Sequence, residues 1–204
     1  MKKNSFKTFF VFLLISFCTS VNSQEKNQVP VNNTNAVKVQ YYEGKDLLSV
    51  YLLPDVIAEL GVEEKSSSQL KSLDSNAQTL KVVGNTHYFK VSDKSLLNGG
   101  KVSTKASKSG KFSPVYSRTG GTDSLLYPMG FIIEYKPSAK SSDISSLEAK
   151  YNLRNGKKLP IATLNQVVYP AEAGQATLDL SQTIRAESIV EATYPEWHEE
   201  MFRR

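Results

Sequence analysis

The stretch Gly130-Phe131-Ile132-Ile133-Glu134-Tyr135-Lys136-Pro137 sets the reading of this chain. Its β-branched and aromatic residues form a strand, and Pro137 stops it because a proline has no N–H to donate to a ladder. After it, Ser141-Ser142-Asp143 supplies a helix N-cap, and Ile144, Leu147 and Tyr151 recur at i, i+3 and i+7 along one helix face. Asn155-Gly156 turns the chain into a short strand near Lys157–Leu159. A further strand, Leu164–Tyr169, is closed by Pro170. Thr177–Ala186 is helical, with Leu180 and Ile184 at i and i+4 and Leu178 at its edge. Ser188–Tyr194 is the last strand, ended by Pro195. The order β-α-β-β-α-β predicts an α+β fold of the ferredoxin-like type, an antiparallel sheet with two helices on one face, spanning 129–196. The other sheet face is left for a partner.

Upstream, the pattern is β-rich. Val37-Lys38-Val39-Gln40-Tyr41 alternates at period two, Glu43-Gly44-Lys45-Asp46 turns, and Leu47–Leu53 returns. Pro54-Asp55 opens the short Val56–Leu60 segment, read as a partial helix or third strand. Gly61–Gln78 is Ser/Lys-rich, with weak helical spacing at Leu70 and Leu73. Thr79–Val83 and Thr86–Val91 flank Gly84-Asn85 as a second hairpin. Ser92–Ser113, rich in Lys, Ser and Gly, reads as a long exposed loop ending in an edge segment at Phe112–Tyr116. Gly120-Gly121 breaks the chain, so 37–121 forms a small β-rich lead-in to the second half.

The first residues change the composition argument. Lys2, Lys3 and Lys7 precede an apolar run from Phe9 to Phe17, and Val21-Asn22-Ser23 ends on a small residue. This is the layout of a secretory signal peptide over 1–23, cleaved after Ser23, with an apolar run too short to span a membrane. Residues 24–36 follow as a polar, flexible arm. The single cysteine, Cys18, leaves with the leader, so the mature chain has no disulfide, thiol nucleophile or sulfur ligand. The three leader lysines leave too, and the formal charge falls from +5 to +2. A charge that small, with no basic cluster interleaved with aromatics, argues against nucleic-acid binding. The expected protein is periplasmic or secreted, has no stable membrane anchor, and is a monomer when free.

Enzyme signatures are missing. There are two histidines: His87 lies inside a strand, and His198 lies among Glu196, Glu199 and Glu200, where an exposed tail residue is the ordinary reading. No G-x-S-x-G, P-loop, dinucleotide fingerprint or H-E-x-x-H occurs, and Glu134 is a lone acid with nothing in sequence to place a second beside it. No catalytic residue, cofactor or metal site is expected. The end of the chain is more informative. After Pro195 it reads Glu-Trp-His-Glu-Glu-Met-Phe-Arg-Arg, holding the only tryptophan. Residues 197–204 read as an extended tail, either folded back on the sheet or inserted into a partner's cleft.

The second half resembles the propeptide module of subtilisin-like serine proteases. The resemblance is carried by Met129–Pro137 with its capped helix, by Leu147-Glu148-Ala149-Lys150-Tyr151-Asn152-Leu153, where Asn152 replaces the usual glycine, and by Leu178–Ile184. It continues in Glu187–Pro195, where Tyr194 is extra to the family's closing strand. Val39–Lys45 and Phe112–Tyr116 resemble segments of the longer, fervidolysin-like prodomains. A catalytic domain with its Asp, His and Ser motifs does not follow, so the likeness implies a free-standing prodomain. By that likeness the chain inhibits, or assists the folding of, a separate subtilisin-like protease through sheet-face packing and tail occlusion of the active site. Trp197, His198, Met201, Phe202, Arg203 and Arg204 would form the protease-binding tail. Two other readings stay open: a non-protease interaction module on the same fold, and a truncated remnant of a subtilase precursor.

Overall fold

The computed structural model describes residues 35–63, 66–109, 111–160 and 165–199. The leader, most of the arm and Met201–Arg204 lie outside the described residues. Eleven strands and four short helices are present among the described residues, and nine of the strands form one antiparallel sheet. They are β1 (Val37–Glu43), β2 (Asp46–Leu60), β3 (Gln78–Val83), β4 (Thr86–Lys90), β5 (Leu97–Asn98), β6 (Lys101–Val102), β7 (Phe112–Ser117), β8 (Leu125–Tyr135), β9 (Lys157–Lys158), β10 (Gln166–Pro170) and β11 (Val190–Glu199). The helices are α1 (Gln69–Leu73), α2 (Thr104–Ser109), α3 (Ser141–Lys150) and α4 (Gln175–Arg185).

This architecture corrects the expected fold class. The protein is mostly β, built on a large curled sheet, and is not a small ferredoxin-like α+β fold. The sheet runs β3-β4-β2-β7-β8-β10-β9, with β1 added to β2 and β11 added to β8, while β5 and β6 form a separate pair. β8 joins the two halves. Its start pairs with β7 through Tyr116↔Leu126 and Ser117↔Leu125, and its end pairs with β10 and β11. The strand therefore begins at Leu125, well before Gly130.

Two register breaks let these long strands serve several cores. In β2, Leu53 pairs with Val115 and Ile57 with Pro114, so Pro54, Asp55 and Val56 have no partner on β7. A proline fits there because its missing N–H costs the ladder nothing. The chain thus passes through Pro54 as one strand. In β8, Pro128 opposes Trp197 and Gly130 opposes Glu196, leaving Met129 extra. The bulge swaps parity: Leu126 faces the same side as Phe131, Ile133 and Tyr135.

All four helices pack on that side. Leu70 of α1 and Ala106 of α2 join Ile57 and Phe89. Leu147 of α3 and Ile184 of α4 cover Phe131, Ile133, Tyr135 and Tyr169. Tyr135 Oη donates to Tyr169 Oη at 2.9 Å, and Tyr169 Oη donates to Glu148 Oε1 of α3 at 2.8 Å. Between these clusters, the β1–β2 hairpin bends over so that Gly44 N–H donates to Thr193 O at 3.0 Å. The ring β1-β2-β7-β8-β11 closes at this bridge around Tyr41, Val50, Leu52, Tyr116, Leu126 and Leu178.

The opposite face is concave in the first half. Thr86 Oγ1 lies 3.3 Å from Tyr127 Oη, and the Tyr88 and Tyr127 rings are 6.4 Å apart, although β2 and β7 separate β4 from β8. Only a strongly curled sheet brings these side chains together. Leu53, Val56, Ala58, Val115 and Leu125 fill the hollow.

Ser92–Ser113 is more ordered than a loop. It contains a 3₁₀ turn at Lys94–Leu96, the β5–β6 pair and α2, and it buries Leu96, Leu97 and Ala106. Asp74 anchors its start, accepting from Ser92 N (2.7 Å), Ser92 Oγ (2.7 Å), Asp93 N (3.0 Å) and Asn76 N (3.1 Å). These bonds, led by that from Asp93 N, hold its carboxyl below the ordinary carboxylate range. With a lowered folded pKa, its stabilisation is complete above the unfolded value of about 3.9 and disappears as pH falls through the folded value. Asp74→Asn is expected to cost about 1–2 kcal/mol at pH 7. Urea titrations of both proteins at pH 7 and pH 3 check this, the gap closing at the lower pH.

Candidate functional site

Past the Met129 bulge, three strands carry a strip of sheet on the face away from the helices. The registers align three rows across β10, β8 and β11: Gln166–Glu134–Ala192, Val168–Ile132–Tyr194 and Pro170–Gly130–Glu196. Ile132 and Val168 are half-buried and belong to none of the four core clusters, whereas their neighbours Phe131, Ile133 and Tyr169 are fully buried under α3 and α4. Tyr194 completes the middle row. The strip is thus a partly apolar surface with polar groups at both ends.

Glu134 organises one end. Its Oε2 accepts from Gln166 Nε2 at 2.8 Å and from Tyr194 Oη at 3.0 Å, so one carboxylate holds side chains from both flanking strands in place. Burial, followed by the hydrogen bond to Glu134, raises the Tyr194 pKa and keeps the phenol protonated as the donor. The hairpin tip flanks Tyr194: a side chain at Gly44 would bring Cβ to 3.1 Å from Tyr194 Cε1, and Gly44 has φ +65°. Lys45 Nζ meets Glu191 Oε1 at 2.9 Å beside it. At the other end, Met129 projects from the bulge and is 44% exposed. Such an arrangement fixes polar groups at the ends of the strip.

Of the residues expected to form a protease-binding tail, two are described. Trp197 and His198 lie in β11, opposite Pro128 and Tyr127. The Trp197 ring stands edge-on to Tyr41 (5.2 Å, 76°) and Tyr116 (5.6 Å, 68°), sealing one end of the ring of strands. Its indole Nε1 is buried without a hydrogen-bond partner among the described residues. His198 lies on the other face, its ring 4.9 Å from that of Tyr127. Glu199 ends β11 and is paired with Arg118. Met201, Phe202, Arg203 and Arg204 lie outside the described residues. His87, in β4, is half-buried and rests 6.2 Å from the Phe89 ring.

Among the described residues no group of three His, Cys, Asp or Glu side chains is gathered as a metal site would need, and no helix is long and apolar enough to cross a membrane. Compared with known proteins, the chain matches no family model, no curated protein and no solved structure. The Glu134–Gln166–Tyr194 group escapes sequence reasoning because its members are 32 and 60 residues apart.

Proposed function

We propose that this chain is an exported protein-binding module whose partner is a subtilisin-like serine protease, which it inhibits or helps to fold. The observation that supports this reading is the uncovered strip Val168–Ile132–Tyr194, set on the sheet face opposite α3 and α4. A strand surface with an apolar centre and fixed polar ends suits packing against another protein's surface. Export rests on the leader-like first 23 residues, and the choice of partner rests on the likeness of Met129–Pro195 to subtilase propeptides.

The placement of Trp197 and His198 narrows how such a module would block an active site. Both are part of β11, so only residues beyond Glu199 remain for a cleft. The same placement favours a second reading, an interaction module that binds by its face alone and leaves active sites untouched.

The test uses the chain from Gln24 to Arg204, a version ending at Glu199, and the double variant Ile132→Lys with Val168→Lys, against a panel of subtilisin-like proteases. The full chain is expected to bind and inhibit at least one member. The double variant is expected to lose at least about 30-fold in affinity, as for the centre of a packed interface. The version ending at Glu199 should still bind but no longer inhibit. Binding without inhibition by the full chain selects the second reading. A folded chain that binds no member overturns the choice of partner.

A further inference from the structure

The segment Lys94–Lys111 holds five lysines, Lys94, Lys101, Lys105, Lys108 and Lys111, and no other charged residue. Without the three leader lysines the formal charge is +2, so the residues outside this run sum to −3 and the positive charge is concentrated in it. The fold turns this run into a displayed surface. Leu96, Leu97 and Ala106 are buried against Ile57, Leu70 and Phe89, which pins the 3₁₀ turn, the β5–β6 pair and α2 to the sheet. All five lysines are exposed on that pinned scaffold. Asp74 and Asp93 fasten its start, with Asp93 bound to Ser95 N at 2.9 Å and Ser95 Oγ at 2.6 Å.

Beside α2, a recess of about 560 Å³ is lined by Lys108, Lys111, Ser66, Ser67, Ser107 and Gln69, among others. Glu59 also borders it, but its carboxylate is buried and engaged by Ser68 Oγ (2.6 Å) and Gln69 N (2.7 Å), and Glu63 adds one acid at the rim. Two ammonium groups, three hydroxyls and two carboxylates therefore line the opening, one of the carboxylates being turned to its own hydrogen bonds.

We infer that this face, built from the 3₁₀ turn, β5, β6 and α2, docks a sugar polymer bearing anionic groups. The composition separates this ligand from other polyanions. No aromatic side chain lies between Lys94 and Lys111, so bases have nothing to stack on, as single-stranded nucleic acid requires. No arginine is present to grip phosphates bidentately. The apolar residues of the segment face the core, so nothing is left to enter a bilayer. What remains is a set of lysine point charges interleaved with Ser95, Ser103, Thr104 and Ser107, whose hydroxyls match those of a hydrated glycan. Attraction by counterion release makes the binding steeply salt-dependent. The face lies on the helix-bearing side of the sheet, away from the Val168–Ile132–Tyr194 strip, so this inference stands independently of the proposed protease contact.

The experiment measures binding of the chain from Gln24 to heparin, as a sulfated probe, and to polygalacturonate, as a carboxylate probe, over a range of salt concentrations. Duplex DNA and vesicles containing anionic phospholipid serve as rival ligands. The triple variant Lys105→Gln, Lys108→Gln, Lys111→Gln is compared with a control of equal charge, Lys140→Gln, Lys157→Gln, Lys158→Gln. Both are checked for an unchanged melting temperature. The expected result is binding to at least one glycan that the triple variant weakens at least 10-fold. The slope of log affinity against log salt should become shallower by about two to three, while the control keeps its affinity within about two-fold. Whichever glycan binds more tightly identifies the anionic group. Equal losses in both variants, tighter binding to DNA or vesicles, or no glycan binding at low salt would each overturn the inference.

Discussion

Replacing Trp197 with alanine is expected to lower the free energy of unfolding by about 3 kcal/mol, the lower part of the range for a large aromatic removed from a core. Trp197 belongs to a strand, and its ring closes an aromatic cluster with Tyr41 and Tyr116 over Val50, Leu52, Leu126 and Leu178. Two edge-on ring contacts add to the apolar area that the substitution re-exposes. Because one side of the indole remains partly accessible, the cost falls short of the range's top. Its unpartnered Nε1 also means that Trp197→Phe forfeits no hydrogen bond and should recover most of the loss. Urea unfolding followed by far-ultraviolet circular dichroism measures both variants. A loss below about 1 kcal/mol for the alanine variant would mean that the chain past Pro195 detaches without consequence. It would also return Trp197 to the role of a free tail residue.

Gly130→Ala is expected to be at least as damaging, at about 3 kcal/mol or more. Gly130 pairs with Pro170 on one side and Glu196 on the other, on the central strand of the three-strand strip. A Cβ there would fall well inside the van der Waals contact distance of Tyr169 O, within 3.0 Å of Glu196 Oε2 and within 3.2 Å of Pro170 Cα. Two of these three contacts are with backbone, which cannot swing aside as a side chain would. Relief requires β10 to move away from β8, and that disturbs Tyr169, whose hydroxyl links β8 to α3 through Tyr135 and Glu148. Thermal unfolding of Gly130→Ala beside the parent chain tests the expectation. A midpoint shift under about 3 °C would show that the strands part easily at this point.

Local pattern identifies individual elements and fails at the joints between them. The hairpin around Gly84-Asn85, the strand through Phe131–Tyr135 and the two helices covering it follow from alternation and from the spacing of Ile144, Leu147, Leu180 and Ile184. What the sequence does not announce is continuity. Leu125-Leu126-Tyr127-Pro128-Met129-Gly130 has no alternation and contains two residues that usually break strands, yet it is the first half of β8. The bulge at Met129 explains this, since it shifts the inward-facing parity in mid-strand. Pro54 conceals the length of β2 in the same way. Without those two joins the second half reads as a small sheet of its own, and the nine-stranded sheet goes unseen. The polar run Glu196–Glu199 looks like a solvated tail because its pairing partner lies some seventy residues earlier, in Leu126–Gly130. Likewise Glu134 reads as a solitary acid until β10 and β11 bring Gln166 and Tyr194 to it.

The single bridge between Gly44 and Thr193 has a kinetic consequence. The ring of strands is complete only when β1, near the start of the described chain, meets β11, the last described strand, so the contact that closes it spans most of the described residues. Loop-closure entropy grows only slowly with that separation, so the equilibrium penalty is modest. The rate is another matter, because topologies dominated by distant strand pairings reach their transition states slowly. Until β11 docks, Leu126, Tyr41 and Tyr116 lack their aromatic cover. A nascent chain therefore presents an open, apolar sheet edge, exposed to mispairing, for as long as its final strand is held back.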